Sequence, residues 1–232
     1  MYTIKSLVKR ISTVAHFKEL SINDLTTIVT SGQVLHFKKD ATLFDEGGAC
    51  AGLFVLFTGR VKLCKFSIQG QETIITVIKP VIMFNEVPVL DEGFNPVTAV
   101  AVEDCVAWQM SQEKFQMLLK EYPILGLSLL KVLATRSRVL LSLFEDVSTL
   151  SVKSRVAKVL LDISQNGEIR ITRKKYTNLE MAAHAATGAP QFSRALKSFK
   201  EFNVITCTRT SIEISLPQRL AQIAQMPLTD QG

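Results

Sequence analysis

The sequence predicts an α+β protein with an N-terminal β-barrel or sandwich, a long helix and a C-terminal winged helix-turn-helix. Three observations carry this prediction. Short apolar runs broken by glycine and acidic turns fill the first half of the chain. A stretch with apolar residues at helical spacing follows Pro123, and two short helices with a hairpin end the chain. The corresponding domains are expected at residues 1–123, 124–146 and 147–232.

Composition and cysteine usage indicate the cellular setting. Of the 232 residues, 47% are hydrophobic, which is sufficient for packed cores. The N-terminal segment lacks the apolar stretch of a signal peptide, and no run of about 18 apolar residues offers a membrane span. The cysteines are scattered, without a Cys-x-x-Cys motif, which favours a reducing compartment over a disulfide framework. We therefore expect a cytoplasmic protein without a membrane partner.

From Gln33 to Met110 the sequence is typical of an all-β module. Gly59 and Gly70 lie in turns, where glycine adopts positive φ without strain. A helix over about residues 21–31, capped by Ser21 or Asn23, precedes the module, and a helix capped by Ser111 follows it. The predicted strands cover residues 53–57, 61–66, 73–78, 97–102 and 106–110.

A long helix is expected over about residues 124–146. Apolar residues recur in it at spacings of three and four, which is typical of a helix that packs on a partner helix. Leu141 and Leu143 lie off this seam, so the helix is apolar on more than one side. Two heptads alone leave open a helix that packs only on its own domain. The predicted dimerisation residues are Leu130, Leu133, Ser137, Leu140 and Phe144.

The excess positive charge lies entirely in the last third of the chain. Residues 147–232 hold 12 Lys and Arg against 6 Asp and Glu, whereas residues 1–146 hold 15 of each sign. A basic module joined to a neutral one is typical of a nucleic-acid reader attached to a domain that does not touch nucleic acid. Charge alone is weakly specific, and its coincidence with a motif gives it weight.

That motif is a winged helix-turn-helix. An amphipathic helix over residues 151–166 and a short strand over 168–172 come first. Thr177 then opens a short helix with a capping box, since a glutamate follows three residues later. Pro190 opens the second helix, where its missing N–H does no harm. A hairpin over residues 204–215 completes the pattern as the wing.

In order and spacing, these pieces resemble the CRP/FNR family, named after the cyclic-AMP receptor protein and the fumarate-nitrate reduction regulator. The resemblance covers about residues 15–220, and it implies a cyclic-nucleotide-binding-type β-barrel (a double-stranded β-helix or jelly roll), a long dimerisation helix and a DNA-reading winged helix. The matching segments are Gly59-Arg-Val61, Gly70-Gln-Glu72, Phe84-Asn-Glu-Val87, Leu90-Asp-Glu-Gly93, Leu150-Ser-Val-Lys-Ser-Arg155 and Phe192-Ser-Arg194.

The effector site departs from family members that bind cyclic AMP. Those members hold the cyclic phosphate with an Arg-Ser or Arg-Thr pair, whose positions are Pro96 and Val97 here. The family glycine is Asn85, while Glu86 is retained. A phosphate would lose its charge-assisted hydrogen bonds at these positions, so we expect an effector other than cyclic AMP. The expected effector pocket comprises Asn85, Glu86, Val87, Pro96, Val97 and Arg136.

Some family members sense their signal through an iron–sulfur cluster or a haem, and the residues that would ligate these cofactors can be looked for in the sequence. An oxygen-sensing iron–sulfur cluster needs several cysteines near the N-terminus, and this chain has none before Cys50, which argues against that cluster. Some members sense nitric oxide or carbon monoxide through haem, and His16 is the one candidate axial ligand. His36 and His184 are expected to be structural, and a lone histidine such as His16 more often is as well. The cofactor therefore stays open, with haem as an option and no other metal site predicted.

DNA readout is expected from the second helix of the motif. The family commonly places a base-reading Glu ahead of this helix, where the chain has Ala189 and Pro190, so its half-site should differ from the family consensus. Arg194 is kept and can bind guanine O6 and N7 bidentately. Gln191 could pair with adenine or contact phosphate, and the lysines are expected to contact phosphate. The predicted DNA-binding residues are Gln191, Ser193, Arg194, Lys197, Lys200, Lys174 and Lys175.

The sequence thus predicts a homodimeric, sequence-specific transcription regulator controlled by a small effector or signal sensed in the barrel. Expected partners are double-stranded DNA with palindromic half-sites, a second copy of the chain and RNA polymerase. Two alternatives stay open: a haem-based gas-sensing regulator, and an effector-binding module without specific DNA readout. An enzyme finds little support, since the sequence has no Gly-x-Ser-x-Gly, His-Glu-x-x-His or P-loop motif.

Overall fold

The chain folds into two compact units, the first ending at Ser137 and the second beginning at Arg138. The structure, a computed structural model, describes residues 3–226. The division falls within the long helix α5 (Pro123–Thr149), which extends beyond both ends of the predicted helix. Within the described residues, no helix combines the length and the apolar character needed to cross a membrane.

The first unit contains two four-stranded antiparallel sheets. Their orders are β1-β8-β3-β6 and β2-β7-β4-β5, so the strands form a jelly-roll-like pair of sheets rather than a closed barrel. Val55 lies opposite Trp108 in one sheet and Leu63 opposite Ala99 in the other. Gly59, in the turn between two strands, has φ of 83°, as its predicted turn role requires. The strands are β1 (Gln33–Phe37), β2 (Thr42–Phe44), β3 (Leu53–Thr58), β4 (Val61–Phe66), β5 (Glu72–Ile78), β6 (Ile82–Phe84), β7 (Thr98–Ala101) and β8 (Cys105–Met110).

Strand β3 is buried on both faces, which explains its continuous apolar sequence. Phe54 and Leu56 face the core between the two sheets. Leu53, Val55 and Phe57 alternate with them and pack in a second core together with residues of the helices. A strand with a core on each side has no polar face, and it therefore anchors the whole unit.

Helices cover one side of this unit. Ser21 caps α2, with its side chain bound to the Asp24 backbone N–H and the Asp24 carboxylate bound to the Ser21 N–H. Ser111 caps α4, so both predicted helices are confirmed. A 3-10 turn over Ala15–Phe17 links the first two helices. The helices are α1 (Ile4–Ile11), α2 (Ile22–Thr30), α3 (Glu86–Asp91), α4 (Gln112–Glu121) and the start of α5.

The second unit is a winged helix-turn-helix with a core of its own, in which Leu160, Phe192 and Ile212 are buried. The predicted strand over residues 168–172 is too long, since the observed strand covers only Ile171–Thr172. The reason is a left-handed turn at residues 165–167, where all three φ angles are positive. The elements are α6 (Val152–Ser164), β9 (Ile171–Thr172), α7 (Asn178–His184), α8 (Ala189–Glu201), β10 (Ile205–Cys207), β11 (Ser211–Ile214) and α9 (Pro217–Ala224), with the sheet ordered β10-β11-β9.

Candidate DNA-binding surface and effector site

The first helix of the DNA motif begins at a complete capping box. The Glu180 backbone N–H donates to Thr177 Oγ1 at 3.3 Å, and the Thr177 N–H donates to Glu180 Oε2 at 2.8 Å. Two of the unpaired N–H groups at the helix start are thereby satisfied. The capping box that the sequence predicts is confirmed, and it fixes where α7 starts relative to the turn before it.

A buried arginine holds the turn between α7 and α8. Arg155, on α6, donates from Nε to the carbonyl of Ala185 at 2.9 Å and from Nη2 to that of Ala186 at 3.2 Å. Its Nη1 donates to the carbonyl of Leu150 at 2.9 Å. Ala186 has φ of 45°, a left-handed conformation that costs an alanine roughly 1–2 kcal/mol. Two bonds from the guanidinium hold this turn, the third fixes the guanidinium to Leu150 ahead of α6, and together they set the direction of α8.

Helix α8 is amphipathic in the way that a DNA-reading helix requires. Phe192, Leu196 and Phe199 are buried in the core of the second unit. Every residue predicted to bind DNA is exposed, five on α8 and two in the turn between β9 and α7: Gln191, Ser193, Arg194, Lys197, Lys200, Lys174 and Lys175. The Gln191 side chain folds back toward Gly188, since a Cβ at Gly188 would lie 2.8 Å from Gln191 Oε1.

In the first unit, an ion pair links the effector segment to α5. The carboxylate of Glu86, at the start of α3, pairs with the guanidinium of Arg136. Arg136 Nη2 also lies 3.4 Å from the carbonyl oxygen of Met83. Burial lowers the pKa of Arg136 from its usual value, and the group stays charged at neutral pH. Two of the residues assigned to the effector pocket therefore neutralise each other.

Asn95, which sequence analysis did not single out, organises the rest of this region. Its Nδ2 donates to the carbonyls of Asp45 at 3.2 Å and Ala49 at 2.9 Å. Its Oδ1 accepts from the Ala51 N–H at 3.2 Å and from Asn85 Nδ2 at 3.1 Å. The loop between β2 and β3 is thus bonded to the segment around Asn85, which sits in the left-handed region at φ of 64°.

The predicted effector residues are only partly brought together. Asn85 and Glu86 are buried and adjacent, and Arg136 reaches Glu86. Val87 and Pro96 are exposed, and Val97 is half-buried. Asn85 Nδ2 donates to the carbonyl of Gly52 at 2.9 Å and to Asn95 Oδ1 at 3.1 Å, and neither partner belongs to the predicted set. No local sequence signal marks Asn95, because the backbone groups that its side chain binds lie more than 40 residues away along the chain.

Aromatic rings fill the space between the two sheets. The ring centroid of Phe54 lies 5.5 Å from that of Phe44 and 5.3 Å from that of Phe84, and the Phe44 and Phe84 centroids are 6.2 Å apart. The three rings come from β2, β3 and β6. Cys105, also buried there, has its thiol pKa raised by burial, so it packs as a neutral side chain. The interior of the jelly roll is apolar and aromatic.

His16 is buried, with 5% of its surface exposed, in the 3-10 turn before α2. Neither ring nitrogen has a hydrogen-bond partner among the described residues. Burial, together with the nearby charge of Arg136, lowers the pKa of His16 to about 4. The imidazole is therefore neutral at pH 7 and keeps an unshared nitrogen lone pair. The other two histidines, His36 and His184, are exposed.

The side chains of α5 leave a large apolar surface uncovered in this chain. Of the predicted dimerisation residues, Leu130, Ser137, Leu140 and Phe144 are exposed and Leu133 is half-buried. Phe144 is 71% exposed and Leu140 is 62% exposed. Val139, Leu141 and Val147 are also exposed apolar side chains of α5, but they lie outside the predicted seam.

Comparison with known proteins identifies both units. Residues 34–122 match the model of the cyclic nucleotide-binding domain, and residues 154–223 match the Crp-like helix-turn-helix domain. A CRP-like cAMP-activated global transcriptional regulator of Mycobacterium tuberculosis is 26% identical over 215 residues, which cover 90% of this chain and 96% of the relative. The chain belongs to the CRP/FNR family of transcription regulators.

Two further relatives support this membership. A cyclic AMP receptor protein of Thermus thermophilus is 28% identical over 188 residues, covering 81% of this chain and 86% of the relative. The crystal structure of a Thermus thermophilus catabolite activator protein matches with a TM-score of 0.53 at 26% identity, covering 91% of this chain and 98% of that one. As a CRP/FNR regulator, the protein combines a DNA-binding helix-turn-helix with a domain of the effector-binding type.

Proposed function

We propose that this CRP/FNR regulator is a homodimer that binds palindromic DNA and responds to a small effector or signal other than cyclic AMP. The observation that carries the proposal is the construction of α8. Its apolar face is fixed in the core by Phe192 and Phe199, and Arg155 holds the turn before it, while Arg194 and its polar neighbours stay exposed. An exposed arginine on such a helix is suited to read guanine in the major groove.

The apolar surface of α5 supports dimerisation. Exposed leucine and phenylalanine side chains on one helix mark an interaction site, and a second copy of the same helix offers a matching surface. A dimer places two recognition helices on one duplex, which is why palindromic half-sites are expected. RNA polymerase is the further partner that transcription regulation requires. The protein would meet both DNA and RNA polymerase in the cytoplasm, which is the compartment we propose.

The effector site supports a signal other than cyclic AMP. A cyclic phosphate needs cationic groups or N–H donors to bind its oxygens. At this site the Nδ2 donor of Asn95 is instead occupied by backbone carbonyls of the loop between β2 and β3. The only guanidinium of the predicted pocket, Arg136, already pairs with Glu86. The aromatic interior offers apolar contacts in place of charged ones.

Selection of binding sites from random duplex DNA by the purified full chain tests the main proposal. We expect a palindromic consensus with two half-sites, and affinity that falls steeply with salt. Enrichment of no consensus would instead support the alternative of an effector-binding module without specific readout. Thermal unfolding with cyclic AMP tests the effector proposal, because a ligand of the native state raises the Tm. A dose-dependent rise at micromolar cyclic AMP would contradict it.

Sedimentation of variants tests the dimer. Leu140→Asp with Phe144→Asp should yield monomers, since both side chains lie on the proposed seam. Leu141→Asp is the matched control, because Leu141 is 68% exposed but lies off the seam. A double variant that stays dimeric would contradict the assignment, as would a control that dissociates.

Haem is a second candidate for the signal receptor, favoured by the neutral, unpartnered ring nitrogens of His16. His16 would be the axial ligand, and a bound haem iron would supply the site that takes up nitric oxide or carbon monoxide. The described residues contain no cluster of three or more His, Cys, Asp or Glu side chains that could hold a metal ion, so the haem proposal rests on His16. The ultraviolet–visible spectrum with and without added haem decides between the candidates: a Soret band that is lost in His16→Ala would favour haem.

A further inference from the structure

A cavity of about 250 Å³ lies in the second unit between α8, the β9–α7 turn and the wing. Three cationic side chains line it: Arg173 from the turn, and Lys197 and Lys200 from α8. Ser193 and Asn178 add a hydroxyl and an amide. None of the described residues that line the cavity is acidic. The volume equals that of about eight water molecules, enough for a phosphate group with part of its hydration shell.

Arg173 is held in position by neutral acceptors. One of its terminal N–H groups donates to Asn178 Oδ1, and its Nε donates to the carbonyl of Thr208 at 3.2 Å. Neither acceptor carries a charge, so the positive charge of the guanidinium is not cancelled. A guanidinium has five N–H donors, and these two bonds leave others for an anion. Arg173 is thus both oriented and able to bind.

The other groups at the cavity leave its charge positive. Burial raises the pKa of the Cys207 thiol from its usual value, while Arg173 and Lys200 act in the opposite direction, and the thiol stays neutral at pH 7. Lys197 Nζ lies 4.0 Å from the Glu201 carboxylate, but both side chains are largely exposed. An exposed pair of this kind is weak and yields readily to a stronger anion.

We propose that this cavity binds one phosphate of the DNA backbone in each half-site, with Arg173 as its anchor; this rests on the proposed DNA-binding function. Ser193, Lys197 and Lys200 follow one another at spacings of four and three residues, so they form one ridge of α8. Arg194 is the direct neighbour of Ser193 on the exposed face. A phosphate held in the cavity would fix the register of α8 on the duplex, and Arg173 is therefore a positioning residue for the readout by Arg194.

The test is a thermodynamic cycle between Arg173→Gln and single uncharged methylphosphonates placed along the selected duplex. We expect Arg173→Gln to weaken binding about tenfold at each half-site and to lower the salt slope by about 1 per half-site, without changing the consensus. At one position in each half-site, where the methylphosphonate replaces the phosphate bound by Arg173, Arg173→Gln should not weaken binding any further. The negative charge that Arg173 binds has already been removed there. Arg173→Lys should restore the salt slope but only part of the affinity, since it keeps the charge without the fork.

The matched control is Arg219→Gln, which removes an exposed arginine from α9 and should leave affinity and slope unchanged. The methylphosphonate scan of the unmodified protein needs no variant, so a folding defect in Arg173→Gln cannot imitate the expected coupling. If the protein binds its palindrome but the effects of Arg173→Gln and every methylphosphonate simply add, the phosphate site is wrong while the proposed function stands. If the unmodified protein prefers no duplex sequence, the proposed function itself is wrong.

Discussion

Arg136 on α5 pairs with the carboxylate of Glu86 at the start of α3, and the two side chains are 40% and 3% exposed. A carboxylate buried to this extent is stable only with a charged or hydrogen-bonded partner. The pair therefore links the segment that carries the effector-site residues to the long helix, within the first unit. A movement of α3 has to break this pair or carry α5 with it.

Removal of one partner of this pair should destabilise the protein more than removal of both. We expect Arg136→Met to lower the free energy of unfolding by about 2–3 kcal/mol, because it leaves the Glu86 carboxylate buried and unpaired. Glu86→Gln in the same chain should recover a large part of that loss. Denaturant unfolding of the two single variants and the double variant measures the coupling, and strictly additive losses would show that the pair contributes nothing.

His16 should make stability depend on pH between about 4 and 6.5. Its pKa is about 4 in the folded protein against an ordinary value of 6.5, so the unfolded chain binds more protons in this window. Stability is complete above pH 6.5 and falls as the pH drops toward 4, by at most about 3 kcal/mol. His16→Met, which cannot titrate, should remove this part of the pH dependence in urea melts at a series of pH values. The same slope in both proteins would contradict the buried state of His16.

Arg155 should be essential to the stability of the second unit. Arg155→Met keeps an apolar stem but leaves the carbonyls of Leu150, Ala185 and Ala186 without their donor. We expect a loss of about 2–3 kcal/mol, measured by thermal unfolding, and weaker DNA binding because the direction of α8 is no longer fixed. Lys153→Met on the same helix is the control, since its side chain is exposed, donates a hydrogen bond to Ser198 and lies near the rings of Phe199 and Phe202. Equal melting temperatures of Arg155→Met and the parent would refute this role.

Arg194 and Lys200 should contribute to DNA binding in different ways. Arg194→Ala should cost roughly 1–3 kcal/mol per half-site and relax the preference at one base pair, because a bidentate contact to guanine is lost. Lys200 lies nearly two turns further along α8, so Lys200→Ala should weaken all sequences about equally and lower the salt slope by about 1 per half-site. Site selection on each variant distinguishes the roles. An unchanged consensus for Arg194→Ala would make Gln191 the leading reader.

Elements with local signals could be predicted from the sequence, whereas contacts between distant segments could not. Three helices follow a residue suited to cap them: Ser21, Ser111 and Thr177. Each of these side chains accepts a hydrogen bond from the backbone N–H three residues later, and all three helices are present. Helix α3 was missed because Pro88 lies in its middle and both of its flanking residues are in the left-handed region. The β9 strand was placed too early because the turn before it uses Gln165 and Asn166 at positive φ, where glycine is expected.

The site divides in the same way. The exposed face of α8 follows from its apolar period, so its polar residues could be named in advance. The roles of Arg155 and Asn95 could not be predicted in this way, because each binds backbone carbonyls about 30 to 50 residues away in sequence. Every residue has a backbone carbonyl, so the sequence does not show which one a side chain will bind. Arg173 was missed for a related reason: it belongs to a turn, and only the fold brings it to α8.

The packed rings of Phe44, Phe54 and Phe84 impose a free-energy cost on any ligand that displaces one of them from the interior of the jelly roll. Turning one ring out of the interior forfeits roughly 1.5–3 kcal/mol of burial. That loss raises the apparent Kd of the ligand by a factor of roughly 10 to 150. A flat apolar molecule restores the contacts it displaces and escapes the penalty, whereas a charged sugar phosphate bears it in full. A ligand that displaced one of these phenylalanines would therefore bind more tightly if it were apolar than if it were charged.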